Sequence, residues 1–323
     1  MHLQPQAYIK HLRCPNDCSG ELMVSHSKAR CCTCHREFEI SDEGILELVR
    51  ESELDEATAQ ELRGHNFSYT PQQIEQRVRK EKAMLWRSYY SRNRMKSMQH
   101  LAAFLGRVDC ERVFFLGAGT GREIEYLLSF CKLHTVFCSD LSCTALRMIP
   151  ARLEGYGLDV GLFTSDLQRC PVASREIPVV IVNALHHTLD MHETLESLLG
   201  MRYENLFIVE PTNNFAIRML ARLGWARRRE YSGVIPGRLE LPRLKAMCRQ
   251  HGYGLKLKTH WEFPGDYYRK LFGNSRRIER WFFRIMNGFS LVTSMARFGN
   301  FSVVHMSRVP IAKDPDAHAE GKR

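Results

Sequence analysis

The chain has 323 residues, 44% hydrophobic and 25% charged, which are the proportions of a globular protein with room for one large domain and a small module. Its longest apolar runs are strand-sized, such as Val179–Val182, which excludes a membrane span of roughly 18–20 residues, and Met1–Lys10 lacks the apolar core of a signal peptide; a soluble, cytoplasmic protein is the expectation. The odd count of 11 cysteines excludes a fully paired disulfide framework, and the net charge of +10 calls for a location along the chain.

Residues 1–49 hold five of the cysteines: Cys14, Cys18, Cys31, Cys32 and Cys34. Cys14-Pro15-Asn16-Asp17-Cys18 and Cys31-Cys32-Thr33-Cys34 are two close thiol pairs, the spacing that suits tetrahedral zinc held at two turn-like knuckles. Cys31 and Cys32 compete for the third position. Cys31 restores a two-residue gap to Cys34, so Cys14, Cys18, Cys31 and Cys34 are the expected ligands of a structural Zn2+. Residues 50–106 read as an acidic connector (Glu51, Glu53, Asp55, Glu56, Glu61) and then a helical region from Gln72 to about Leu105, where Met84, Leu85, Tyr89, Met95 and Met98 recur at helical spacing.

From 107 to 310 short apolar strands alternate with helices. The expected strands are Arg112–Leu116, Thr135–Ser139, Val160–Thr164, Val179–Asn183 and Leu206–Glu210, with helices over Gly121–Cys131, Ser142–Glu154 and Met191–Gly200. Such alternation implies right-handed crossovers and a parallel sheet with helices on both faces, an α/β fold. Further on come more helix, a strand near Leu255–Phe263, a helical insertion at about 264–298 and a last strand near Phe301–Val309. Residues 311–323 are expected to be a disordered tail. The six cysteines outside the first module (Cys110, Cys131, Cys138, Cys143, Cys170, Cys248) read as reduced core residues.

Within this frame Val113-Phe114-Phe115-Leu116-Gly117-Ala118-Gly119-Thr120-Gly121-Arg122-Glu123 takes an apolar strand through Gly-x-Gly-x-Gly into a helix. Glycines there permit a tight turn and close approach of backbone to a ligand. The next strand ends in Asp140, 19 residues beyond Gly121, where a carboxylate would grip an adenosine ribose. A dinucleotide fingerprint needs a glycine where Arg122 stands, and a P-loop needs Gly-Lys-Ser/Thr, which is absent.

The Gly-x-Gly-x-Gly loop resembles the first motif of class I S-adenosylmethionine-dependent methyltransferases. Asp140-Leu141-Ser142 looks like the family's ribose-binding motif and Ser165-Asp166-Leu167 like its adenine-contacting motif. Val179–Asp190, with its Leu185-His186-His187 segment, is similar to the fourth motif of the ubiquinone/menaquinone C-methyltransferase-like group. The resemblance implies a Rossmann-like seven-stranded sheet whose last strand is antiparallel to its neighbours, with S-adenosylmethionine bound by Gly117, Ala118, Gly119, Gly121, Asp140, Leu141, Asp166, Leu167 and Asn183. His186 and His187, past the end of the fourth strand, are base candidates or pocket-shaping residues. Glu210 faces the same rim, as a substrate-positioning group or a structural acceptor. The cysteine module, continuing to Asp42-Glu43-Gly44-Ile45, resembles the zinc ribbon fused to or partnering many methyltransferases.

Residues 1–210 carry 24 basic and 28 acidic side chains, net −4, whereas residues 211–323 carry 22 and 8, net +14. Arg218, Arg222, Arg227, Arg228 and Arg229 form one cluster. Arg276, Arg277, Arg280 and Arg284 form another, interleaved with Ile278, Trp281, Phe282, Ile285, Met286, Phe289 and Val292. This helical stripe is open to four readings: an amphipathic helix packed on the core, a substrate lid, an interfacial helix on anionic lipid, or an RNA-binding face. The expected activity is methyl transfer to an oxygen or acidic carbon of a small hydrophobic metabolite, lipid or quinone-like acceptor. The alternatives are an RNA methyltransferase and a non-catalytic cofactor-binding scaffold.

Overall fold

The computed structural model describes residues 2–16, 18–65, 69–85, 89–222, 237–262, 275–295 and 298–309. The tail 311–323, Arg227–Arg229 and residues 264–274 of the expected insertion lie outside them, as do the side chains of Met84, Leu85, Tyr89 and Arg276.

Eleven strands are described: β1 (Leu22–Ser25), β2 (Lys28–Cys31), β3 (Glu37–Glu39), β4 (Leu46–Glu47), β5 (Arg112–Leu116), β6 (Thr135–Asp140), β7 (Asp159–Thr164), β8 (Val179–Val182), β9 (Asn205–Pro211), β10 (Tyr253–His260) and β11 (Phe301–Arg308). The first three form a small antiparallel sheet; the others form one sheet in the order β10-β11-β9-β8-β5-β6-β7-β4. β5 through β9 are parallel, and β11 runs antiparallel to both β9 and β10. This is the Rossmann-like order that the sequence implies, with one strand more than seven. The eighth is β4, from the cysteine module, paired parallel to β7 through Leu46↔Phe163 and Glu47↔Thr164.

Side chains alternate across the sheet and create two cores. Phe114, Leu116, Phe137, Val179 and Ile181 face one side, while Val113, Phe115, Val136, Cys138 and Val180 face the other. Central strands buried on both faces read as continuous apolar runs, and all four residues of β8 are buried. The first core also takes Tyr8, Leu12, Leu22 and Phe38 from the cysteine module. Tyr8 is fully buried against Phe137 and Phe163, its hydroxyl donating to the Leu162 carbonyl.

The helices depart from the sequence in several places, and the one expected over Gly121–Cys131 spans only Arg122–Leu127. The span expected over Ser142–Glu154 is split into Cys143–Leu146 and Ile149–Leu153. Pro150 explains the break, because it has no N–H and its ring clashes with the carbonyl four residues back, at Leu146. The acidic connector contains a helix, Glu56–His65, started by Asp55, which accepts from the Thr58 N–H at 2.9 Å and the Thr58 hydroxyl at 2.6 Å. The helix Pro71–Leu85 opens with a reciprocal capping box: the Thr70 N–H donates to Gln73 Oε1 at 2.9 Å and the Gln73 N–H to Thr70 Oγ1 at 3.3 Å. Among the described residues no helix is long and apolar enough to cross a membrane.

Candidate functional site

A cavity of about 420 Å3 opens at the C-terminal ends of β5, β6, β7 and β8. Its wall includes Gly117, Gly119, Asp140, Leu141, Asp166, Leu167, Asn183 and His187 from the expected set. Ala118, Gly121 and His186 stand outside it. Ala118 is buried and bonded to the Ser139 carbonyl at 2.8 Å, and Gly121 caps the helix Arg122–Leu127 in a left-handed conformation.

The glycine loop has reasons for its composition. A Cβ on Gly117 would lie 2.1 Å from the Ala184 Cβ, so this position must be bare for β5 and the loop after β8 to meet. Gly119, at φ 52°, would meet nothing within 4 Å; its missing side chain leaves space on the cavity wall. The loop is fastened from both sides. Asp140 accepts from the Gly119 N–H at 2.7 Å and, through its other oxygen, from the Ser142 N–H at 2.9 Å. Arg152, fully buried, donates to the Thr120 carbonyl at 2.8 Å and to Glu125 at 3.1 Å, and also binds Glu81.

Asn183 occupies φ 53°, a left-handed region that asparagine tolerates better than most residues. Its buried Oδ1 and Nδ2 have no hydrogen-bond partner among the described residues. An unsatisfied buried amide is costly, so its position on the wall marks a place for a polar ligand group. Asp166 caps the turn Leu167–Arg169; burial pushes its carboxyl up from the ordinary value against the opposing pull of the Gln168 N–H. The bare Gly119, the Asp140 carboxylate and the orphaned Asn183 amide together fit a nucleoside cofactor with polar handles.

The two histidines divide. His186 Nδ1 lies 2.7 Å from Glu210, which is fully buried and also accepts from the N–H groups of Ala184 at 2.8 Å and Leu185 at 2.7 Å. Glu210 is therefore a structural acceptor that shapes the turn after β8. His187 packs against His186 with ring centres 4.1 Å apart and planes tilted by 38°, and lines the cavity, its Nδ1 2.9 Å from Glu61 Oε1.

Glu61 is the residue that sequence reasoning missed. With Thr58 and Leu62 it brings the connector helix onto the cavity wall, and Gln168 reaches Thr58 Oγ1 at 3.4 Å. Asp55 followed by Glu56 was the available signal, a capping residue ahead of an acidic first turn. Tyr69 and Arg77 complete that side.

The four sulfurs of Cys14, Cys18, Cys31 and Cys34 lie within 4.8 Å of one another, and Cys32 is exposed outside the group. Cys14–Cys34 and Cys18–Cys31 are 3.8 and 3.7 Å apart. A tetrahedron with metal–sulfur bonds of ~2.3 Å has edges of about 3.8 Å. Burial resists ionisation of Cys31, but the N–H groups of Cys34 and Thr33 aim at its sulfur from 3.5 and 3.4 Å, and its pKa is lowered to about 6. The donor set and its spacing fit zinc.

Residues 113–201 match the family model described as a methyltransferase domain. That span contains the glycine loop, Asp140, Asp166, Asn183 and both histidines. Similar solved structures include magnesium protoporphyrin IX methyltransferase from Synechocystis PCC 6803 with bound SAH (13% identity, 77% of this chain and 93% of that one, TM-score 0.44). Another is the complex between the Haloferax volcanii Trm112 methyltransferase activator and a methyltransferase (14%, 73% and 98%, TM-score 0.47). A third is the CurJ carbon methyltransferase (14%, 66% and 54%, TM-score 0.43). At these identities the likeness is one of fold. No curated protein matches the chain. Residues 113–201 carry a methyltransferase domain.

Proposed function

We propose that this methyltransferase acts on an ionisable oxygen or acidic carbon of a small, hydrophobic, lipid- or quinone-like acceptor, with His187 as the base. The observation that carries the reading is the Glu61–His187 pair, 2.9 Å apart on the wall of the cavity that the glycine loop opens into. Bound S-adenosylmethionine supplies an activated methyl group. Gly117 and Gly119 would provide its backbone cradle, with Ala118 and Gly121 shaping the loop behind them, Asp140 and Leu141 the ribose contact, Asp166 and Leu167 the adenine contact, and Asn183 a polar anchor.

The residues of the chain contribute alignment and proton removal. The Glu61 carboxylate, 2.9 Å from His187 Nδ1, favours a positive charge on the ring, and Nε2 is assigned as the nitrogen that takes the proton. As the acceptor is methylated, its O–H or C–H proton passes to Nε2, and the resulting imidazolium is stabilised by the Glu61 carboxylate. Leu62, Leu141, Met148 and Leu167 give the wall an apolar part suited to excluding water. His186 acts one step away, as a packing support held by Glu210.

The test is transfer of labelled methyl from the cofactor to fractionated lipid, small-molecule and RNA extracts. Label should enter a lipid or small-molecule fraction. His187→Ala should slow transfer by roughly 10²–10⁴-fold with cofactor affinity retained. Label found in RNA alone, or an unchanged rate in His187→Ala, refutes the reading.

The four-thiolate cluster belongs to a structural zinc. Such a site has no open coordination position, so it braces the module instead of taking part in the chemistry. One zinc per chain by elemental analysis, and a lower melting temperature in chelator, are the expected results.

A further inference from the structure

The helix Arg276–Met295 is oriented the opposite way to an ordinary surface helix. Ile278, Trp281, Ile285, Phe289 and Val292 recur at three- and four-residue steps and so form one stripe. Their fractional exposures are 45, 66, 63, 46 and 68%. The face that meets the protein mixes polar and apolar groups: buried Ser290 accepts from the Trp261 N–H at 3.1 Å, Asn287 binds Lys96, the Lys96 ammonium lies 5.7 Å from the centre of the Phe283 ring, and one edge of the stripe, Phe289, meets Trp261 at 5.4 Å. The helix is therefore anchored by its back while its apolar stripe faces water. This outcome differs from a helix packed on the core and from a lid turned inward.

Arg277, Arg280 and Arg284 are exposed and follow one flank of the stripe. A second amphipathic helix, Phe215–Arg222, follows β9, the neighbour of β11, and Asn214 just ahead of it donates to the Gly299 carbonyl before β11 at 2.7 Å. It adds Phe215, 65% exposed, and Met219, 38% exposed, beside exposed Arg218 and Arg222. Exposed apolar side chains flanked by arginine, in a segment of net +14, have the side-chain pattern of interfacial helices.

We propose that this face docks the enzyme on an anionic lipid bilayer. The stripe enters the headgroup region and the flanking arginines pair with lipid phosphates. Two other occupants fit less well. RNA would stack on aromatic rings, but Ile278, Ile285 and Val292 offer no π-face. A second copy of the chain would bring two arginine flanks of like charge together.

The experiment uses the full-length protein and vesicles of equal parts phosphatidylcholine and phosphatidylglycerol, with pure phosphatidylcholine vesicles and single-stranded RNA as the other arms. Co-sedimentation should show binding to the anionic vesicles that weakens with salt and is at least about tenfold weaker on the neutral ones. Brominated acyl chains should quench tryptophan fluorescence in the wild type and less in Trp281→Phe. Ile285→Ser with Val292→Ser, and separately Arg277→Gln with Arg284→Gln, should each reduce affinity on the order of tenfold, with circular dichroism and melting temperature unchanged. No vesicle binding, equal binding to neutral vesicles, wild-type affinity in folded variants, or a dimer abolished by the serine pair would each overturn the proposal, as would binding to RNA alone. None of these readouts depends on the methyl acceptor, so failure here leaves the reading of the active site standing.

Discussion

Arg152 is the residue on which the glycine loop depends most. It is fully buried, and its guanidinium joins the Thr120 carbonyl to Glu81 and Glu125. Arg152→Met should cost about 3–5 kcal/mol in denaturant unfolding, because two carboxylates lose their buried partner. The same change should weaken cofactor binding through the loop. Asp140→Ala should lower calorimetric cofactor affinity with little loss of stability, since its carboxylate lines the cavity as well as holding Gly119. Asp140 and the glycines were legible because their chemistry is local in sequence. Glu61 was not, because its partner His187 lies 126 residues away and only the folded chain joins them.

His305 gives the pH dependence of stability at the same scale. Burial lowers its pKa from 6.5 to about 4, with Lys256 and Arg107 adding to the effect, and its ring stacks on Phe207 at 4.3 Å. His100 is lowered to about 4 as well, chiefly by burial. In both, the unfolded chain binds the proton more readily than the native one. Their neutral forms therefore support the fold above about pH 6.5, and this support is lost as pH falls from 6.5 toward 4. Unfolding free energy should decline across that window, by about 3 kcal/mol for His305 alone. A flat profile between pH 7 and 4.5 would refute this account.

At the scale of elements, the five central parallel strands were read nearly to the residue, the strands of the cysteine module were not read at all, and the helices were read less well. A strand such as Val179–Val182 announces itself by an unbroken apolar run, and its burial on both faces is the cause. The helix Glu56–His65 buries little besides Ala59, Leu62, Thr58 and Glu61, so its apolar period is too faint to separate from an acidic linker. The cysteine knuckles carry their own prediction. Cys32 is exposed and outside the cluster, whereas the Cys31 sulfur accepts two N–H groups. Cys31→Ser should abolish metal retention and lower the melting temperature, and Cys32→Ser should change neither, as measured by elemental analysis and thermal denaturation.

Across the whole molecule, the surprise is how far the cysteine module enters the sheet. Composition marks 1–49 as a separate unit, yet β4 extends the edge of the main sheet and Tyr8, Leu12, Leu22 and Phe38 share a core with Phe114 and Phe137. Composition registers the change in cysteine density but carries no information about which apolar faces meet. Removing residues 1–49 should therefore expose β7 as a bare edge strand and uncover one face of the core. The truncated chain is expected to be aggregation-prone in light scattering and size-exclusion chromatography, not merely metal-free.

The pairing of Leu46 with Phe163 also sets an order of events during synthesis. The first 49 residues leave the ribosome long before β7 exists. A metal-bound knuckle pair could organise its own small antiparallel sheet at once, but Tyr8 and Leu46 must wait more than a hundred residues for the surfaces they cover. Docking of the head of the chain is thus a late, long-range closure, and until it happens the nascent polypeptide carries an apolar face that a chaperone would recognise.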